Sequence, residues 1–316
     1  MRTVLYLMLP LILVAAFMFF RHFLEPRTPD REAMRLAYAQ PLAKPDAPLN
    51  IFHLGHSLVG RDMPAMLAQL AGDGHRYDSQ LGWGTSLKQH WQGRDAINGF
   101  DVENDHPRYR DARDAISSGD YDAVVLTEMV EIRDATKYHQ SGKHLTRWAD
   151  LARSARPDAK VYLYESWHKL DDPEGWLDRL DSDLSRYWED AVIGPDLTGN
   201  GQTNPVRIIP AGQVMAAFVR TVEAQGGVGN IAAREDLFAR DAGGQIDPIH
   251  VNDKGAYLVA LTHYATLYHR SPEGLPHELV RADGTVADAP SPDAAAVMQR
   301  IVWEVVTGYD KTGVVQ

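Results

Sequence analysis

The stretch Ile51-Phe52-His53-Leu54-Gly55-His56-Ser57-Leu58 decides how this chain is read. Ile51–Leu54 is a short, mostly apolar run that ends on a glycine, the pattern of a buried strand stopping at a turn. Similar runs recur at Ala123–Leu126, Val161–Tyr164 and Val206–Ile209. Helical patterns lie between and after them: Met63–Leu70, Lys143–Ala155, Trp176–Ala191, Ala211–Ala224 and Asp253–His269. Strand alternating with helix predicts an α/β fold, a doubly wound sheet, mostly parallel, with right-handed crossovers. In such sheets reactive groups gather at the carboxyl ends of the strands. Ser57 is placed at such an end, ahead of a helix expected to begin near Asp62. Backbone N–H groups at a helix start can stabilise a developing oxyanion there.

A serine hydroxyl is a poor nucleophile until a base takes its proton. The segment Asp247-Pro248-Ile249-His250, late in the chain, offers that base. Imidazole accepts a proton near neutral pH, and a carboxylate three residues earlier in a tight loop can orient the ring and stabilise the imidazolium. Pro248 would stiffen the loop.

Composition removes several alternatives. The chain has no cysteine, which excludes disulfides, thiolate catalysis and zinc–thiolate sites. Its net charge of −11 argues against a nucleic-acid partner. His53, His56, His90 and His168 show no metal-ligand spacing, so neither a metal nor another cofactor is expected.

The N-terminus carries the location signal. Arg2 precedes an uncharged apolar run, Val4–Phe20, closed by Arg21 and His22. The run is at the lower edge of the roughly 17–25 residues that span a bilayer. It lacks the small-residue cleavage pattern of a removable signal peptide, which favours an uncleaved anchor. The predicted organisation is a membrane anchor over 1–24, a linker over 25–49 with a short helix around Arg31–Tyr38, one catalytic domain over 50–275, and an extension over 276–316. The extension holds a helix at about Pro292–Val306 that packs on the domain. The domain is expected outside the cytoplasm; the oligomeric state is left open.

Gly55-His56-Ser57-Leu58 resembles the first block of the SGNH/GDSL hydrolases, and Asp247-x-x-His250 is similar to their last block. The resemblance runs through Gly82-Trp83-Gly84-Thr85-Ser86, Val124-Val125-Leu126-Thr127-Glu128, Val161–Trp167 and Pro210-Ala211-Gly212, and covers roughly Asn50 to Tyr268. It implies a three-layer, flavodoxin-like sandwich. It also implies Ser57 as nucleophile and oxyanion donor, His250 as base and Asp247 as its orienting carboxylate. A glycine N–H from the second block would be a further donor, Gly84 by preference and Gly82 as the alternate. Two departures stand out. His56 replaces the acid of the first block. Glu128, followed by Glu131, stands near the asparagine whose amide would face the oxyanion, and an ionised carboxylate can only accept hydrogen bonds.

Aromatic and polar residues near strand ends suggest a carbohydrate-binding rim: Trp83, His90 and Trp91, then Glu165, Trp167 and His168. The reading that follows is a serine esterase acting on a small acyl ester, O-acetyl by preference, on a carbohydrate. Acyl transfer by the same triad is one alternative. A membrane-tethered glycan-binding module with a weak or inactive triad is another.

Overall fold

The computed structural model describes residues 31–316. The apolar run Val4–Phe20 lies outside them; among the described residues no helix is long and apolar enough to cross a membrane. Five parallel strands form the central sheet: β1 (Asn50–Leu54), β2 (Arg76–Gln80), β3 (Ala123–Thr127), β4 (Lys160–Glu165) and β5 (Arg207–Pro210). Their order is β2-β1-β3-β4-β5, and Leu54 pairs with Gln80 on one side and Leu126 on the other. This is the flavodoxin-like order, whose direction reverses between β1 and β3. Ser57 follows β1 and Glu128 follows β3, so both lie at that switch point.

Strand β2 was not among the expected strands. Its sequence, Arg76-Tyr77-Asp78-Ser79-Gln80, has no apolar run: among the described strands it pairs only with β1, at one edge of the sheet, and its first three residues are exposed or half-buried, whereas β5 at the other edge is buried throughout. An edge strand that faces water along part of its length gives up the continuous hydrophobic run of a central one.

Side chains alternate between the two faces, as the period of a strand requires. Ile51, Val125, Tyr162, Tyr164 and Ile209 join one buried cluster. Phe52, Leu54, Val124, Leu126, Val161, Leu163 and Ile208 join the other. The helices over the first face are α2 (Asp62–Ala71), α7 (Trp176–Asp183), α8 (Ala211–Gln225), α9 (Asp253–Tyr268) and α10 (Pro292–Gly308). Those over the second are α1 (Arg31–Ala37), α3 (Leu87–Gln92), α4 (Ala112–Ser117), α5 (Ile132–His139) and α6 (Ser141–Ala155). The result is three layers. Helix α9 is buried along nearly its whole length, between α2 and α10. The expected single helix over Trp176–Ala191 is instead α7 continued by wider π-helical turns over Leu184–Ile193.

Part of the expected linker belongs to the domain. Met34 and Tyr38 are buried in the second core, and the Tyr38 hydroxyl donates to the carbonyl of Val206 at 2.7 Å. Helix α10 packs on α8 and α9 through Met298, Ile301 and Val302.

Gly55 closes β1 in a space that admits no side chain. A Cβ there would fall 2.7 Å from Val59 Cγ2 and 2.8 Å from Thr127 Cβ. Overpacking of this kind costs about 1–3 kcal/mol. Gly55→Ala is therefore expected to lower the unfolding free energy by about that amount, measured by urea titration; an unchanged midpoint would show that the β1–β3 junction has slack.

Candidate active site

The turn that begins at Ser57 is held from both sides by neutral, buried histidines. His56 donates Nε2–H to the carbonyl of Glu128 at 2.8 Å, which leaves Nδ1 to accept the Leu58 N–H at 3.4 Å. His90 donates Nε2–H to the carbonyl of Gly55 at 2.8 Å and accepts from Gln80 Nε2 at 3.0 Å. Burial pushes the His56 pKa down to about 4 and that of His90 down to about 3. Each ring therefore keeps one donor and one acceptor nitrogen, as its two bonds require. His90 was expected at the substrate rim; it is buried beneath it.

His250 Nε2 lies 2.9 Å from Ser57 Oγ, and His250 Nδ1 lies 2.7 Å from Asp247 Oδ2. Asp247 Oδ1 accepts the backbone N–H groups of Ile249 at 2.9 Å and His250 at 3.0 Å. Burial alone would raise the Asp247 carboxyl. The hydrogen bonds from the His250 and Ile249 backbone and from the His250 ring outweigh it and hold its pKa below the usual value. An ionised Asp247 can only accept, so Nδ1 carries the proton and Nε2 is free to accept from the serine hydroxyl. This is the proton arrangement that a serine nucleophile needs.

The pair does not occupy a tight loop, as the sequence suggested. Both residues lie on β7 (Ile246–Val251), which pairs antiparallel with β6 (Phe238–Arg240) outside the main sheet. Pro248 is tolerated because the register between the two strands is irregular. The segment is pinned from the loop after β4: Trp167 Nε1–H donates to the carbonyl of Ile249 at 2.8 Å, and the Leu170 N–H donates to that of Pro248 at 2.8 Å.

Trp167 is thus fully buried and has no ring face open to a sugar, contrary to expectation. Trp91 also departs from its expected role. Its ring meets Trp148 edge-on at 4.9 Å, and the Arg113 guanidinium lies 4.2 Å above it. Glu165 is buried at the end of β4, where its carboxyl accepts from the Gln213 backbone and side chain at 3.2 Å each, at the start of α8. Burial raises its pKa to about 8. Of the expected aromatic rim, Trp83 alone is largely exposed, at 52%.

Glu128 is fully buried, and burial raises its pKa to about 7. Its Oε1 accepts the N–H groups of Met129 at 2.8 Å and Leu87 at 3.2 Å. The Ser141 hydroxyl lies beside the carboxyl without closing a hydrogen bond. The carboxyl therefore anchors the first residue of α3 and with it the loop that carries Gly82 and Gly84. Glu131 is engaged as well: it accepts the Arg133 N–H at 3.0 Å and pairs with Arg179 at 2.9 Å. Arg179 also holds Asp172 at 2.6 Å and Asp183 at 2.9 Å, which ties the loops after β3 and β4 together.

Among the described residues, no protein acceptor takes the backbone N–H of Ser57, Gly82 or Gly84. Gly84 is exposed and has φ of +52°, a left-handed conformation that favours glycine; Gly82 is buried. Asn104 was missed in the sequence. It clamps the residue before Gly82 from both sides, accepting the Leu81 N–H at 2.9 Å and donating to the Leu81 carbonyl at 2.8 Å. It occurs in a charged stretch, Val102-Glu103-Asn104-Asp105, where no periodic signal marks it. Among the described residues no group of acidic and histidine side chains could hold a metal ion.

An α/β sandwich of flavodoxin-like order thus carries a Ser–His–Asp arrangement at its switch point. No family model and no curated protein matches the chain. A DUF4886 family protein from Bacteroides uniformis shares the fold, at TM-score 0.51 and 14% identity over 82% of this chain and 95% of its own. A protein from Parabacteroides merdae, provisionally described as a GDSL-like lipase, aligns over 72% of this chain and 98% of its own at TM-score 0.41 and 12% identity, too loosely to carry an argument.

Two predictions follow from the site's own physics. His56, His90 and the buried His263 of α9 titrate in the unfolded chain near the ordinary 6.5 but, through burial, in the folded chain only at about 4, 3 and 4. Their folded pKa values are depressed, so the stability they contribute is present above pH 6.5 and is lost as pH falls toward 4. Glu128 and Glu165 act in the opposite sense. Their raised values, about 7 and 8, contribute stability that is present below 4.5 and lost as pH rises to those values. Stability is expected to peak near pH 6.5 and to fall on both sides, as read by urea midpoints; a flat profile from 4.5 to 8 would contradict these assignments. Trp167→Phe keeps a buried ring but strands the Ile249 carbonyl. It is expected to cost about 1–3 kcal/mol of stability and to slow reaction of Ser57 with a fluorophosphonate about tenfold, through displacement of His250. An unaltered labelling rate would show that Trp167 does not position β7.

Proposed function

We propose that this chain is a serine hydrolase of the SGNH type, an esterase that removes a small acyl group, O-acetyl by preference, from a carbohydrate. One observation carries the reading: Ser57 Oγ, His250 and Asp247 stand in one hydrogen-bonded line, at 2.9 and 2.7 Å. Ser57 attacks the ester carbonyl as His250 Nε2 takes its proton. The imidazolium, held by Asp247, then returns that proton to the leaving sugar oxygen. Water, deprotonated by His250, attacks the acyl-enzyme; the Oγ–acyl bond breaks, the imidazolium returns that proton to Ser57 Oγ, and the acid leaves. The oxyanion faces the free N–H groups of Ser57 and Gly84.

A reading as a glycan-binding module with a slow triad draws on Glu128, whose buried carboxyl serves α3 and offers no amide to an oxyanion. Absence of one donor costs about 10²–10³ in rate in comparable sites. Transfer of the acyl group to a second sugar would use the same triad. The run Val4–Phe20 is proposed to anchor the chain in a membrane with the domain outside the cytoplasm.

The test is labelling of the full chain by a fluorophosphonate, together with hydrolysis of nitrophenyl acetate. Ser57→Ala is expected to abolish both, and His250→Ala to slow both by more than a thousandfold, on the order seen when a triad member is removed. Silence of the parent protein toward the probe would favour the binding module.

A further inference from the structure

A cavity of about 820 Å³ opens beside the nucleophile turn. Its wall begins at Gly60, three positions after Ser57. Three residues reach at most about 11 Å even when fully extended, so one molecule can bridge the serine and the cavity. The volume falls within the roughly 300–1,000 Å³ of small-molecule sites.

The walls come from four separate parts of the chain: the start of α2, the edge strand β2, the loop around Glu103–Arg108, and the loop at Arg281–Asp283. Arg61 fixes two of them together by donating to the carbonyls of Val102 at 2.5 Å and Glu103 at 3.2 Å. The Ala282 N–H donates to Asp62 Oδ1 at 2.9 Å and fixes a third. The site is therefore built by cross-links rather than left between loose loops.

The charge in the walls decides the ligand. The walls carry the acidic residues Asp62, Glu103, Asp105 and Asp283 and the basic residues Arg61, Arg108 and Arg281, so the two signs are nearly balanced. Arg281 is already taken by Asp253, at 2.9 and 2.6 Å. Such a lining does not favour an anion, nor an apolar chain. It matches a neutral polyol, whose hydroxyls donate to carboxylates and accept from arginines. The exposed ring of Trp83 leads from Gly84 to this cavity, because its Nε1–H donates to Glu103 Oε1 at 2.6 Å. An exposed indole is a surface on which the C–H face of a sugar ring can lie.

We infer that this cavity is the subsite for the neutral oligosaccharide body of the substrate, with Trp83 and Arg108 as its specificity-determining residues. The inference rests on the esterase reading for the ester's position at Ser57, but sugar binding is separable from it. The test uses the full chain carrying Ser57→Ala, so that nothing is turned over, on an array of neutral and acidic oligosaccharides with and without O-acetyl groups. Retention of neutral, acetylated oligosaccharides is expected, followed by titration calorimetry on the best of them. Adding Trp83→Ala or Arg108→Ala is expected to weaken that binding at least tenfold, with the thermal midpoint as the control for folding. Retention of no glycan, a preference for acidic ones, or equal affinity in both variants would overturn the inference. Fluorophosphonate labelling of the parent chain keeps the two ideas apart. A labelled Ser57 without glycan binding defeats the subsite alone. Glycan binding without labelling defeats the esterase alone.

Discussion

The hydrogen bond from His56 Nε2–H to the carbonyl of Glu128, 2.8 Å long, joins the ends of β1 and β3 where the sheet changes direction. Much of the site depends on that junction. It fixes the turn in which Ser57 stands, and it requires Gly55, because Thr127 and Val59 leave no room for a Cβ. It also sets the start of the Glu128 side chain, whose carboxyl then reaches the N–H of Leu87 and places the glycine loop. A charged residue at position 56 would have to be desolvated here; a neutral imidazole offers a donor and an acceptor at lower cost.

The same economy recurs around the site. Titratable side chains that look like chemistry in the sequence are used, neutral, as internal connectors. His90 joins β1 to β2 through Gly55 and Gln80, and Glu165 meets the first turn of α8. The candidate triad partners His250 and Asp247 instead have partner-rich, half-exposed surroundings, with side-chain exposures of 43% and 35%. Burial separates the two sets, because desolvation penalises charge far more than a single hydrogen bond repays.

The Arg179 network shows how β7, the strand that carries Asp247 and His250, gains rigidity although it lies outside the main sheet. Strand β7 has one short partner, β6, and by itself would hold His250 loosely. The loop after β4 supplies two hydrogen bonds to its carbonyls through Trp167 and Leu170, and Arg179 ties that loop to the one after β3. His250 is therefore positioned by residues that lie outside the Ser57–His250–Asp247 line.

The sequence by itself determined the alternation of strand and helix, the four apolar strands β1, β3, β4 and β5, and the candidate residues Ser57, Asp247 and His250. The strands were legible because all four are buried along nearly their whole length and so read as apolar runs; the three residues were legible because the short blocks that hold them resemble the first and last blocks of the SGNH/GDSL hydrolases. Tertiary structure alone decided the rest. The polar edge strand β2 exists through its pairing with β1, which no local pattern records. Trp167 and Glu165 share the composition of a sugar-binding rim, yet burial turned them into supports, while Trp83 stayed exposed. Asn104 acts through Leu81, 23 residues away in sequence. Burial and long-range pairing are properties of the packed chain, and residue type cannot state them in advance.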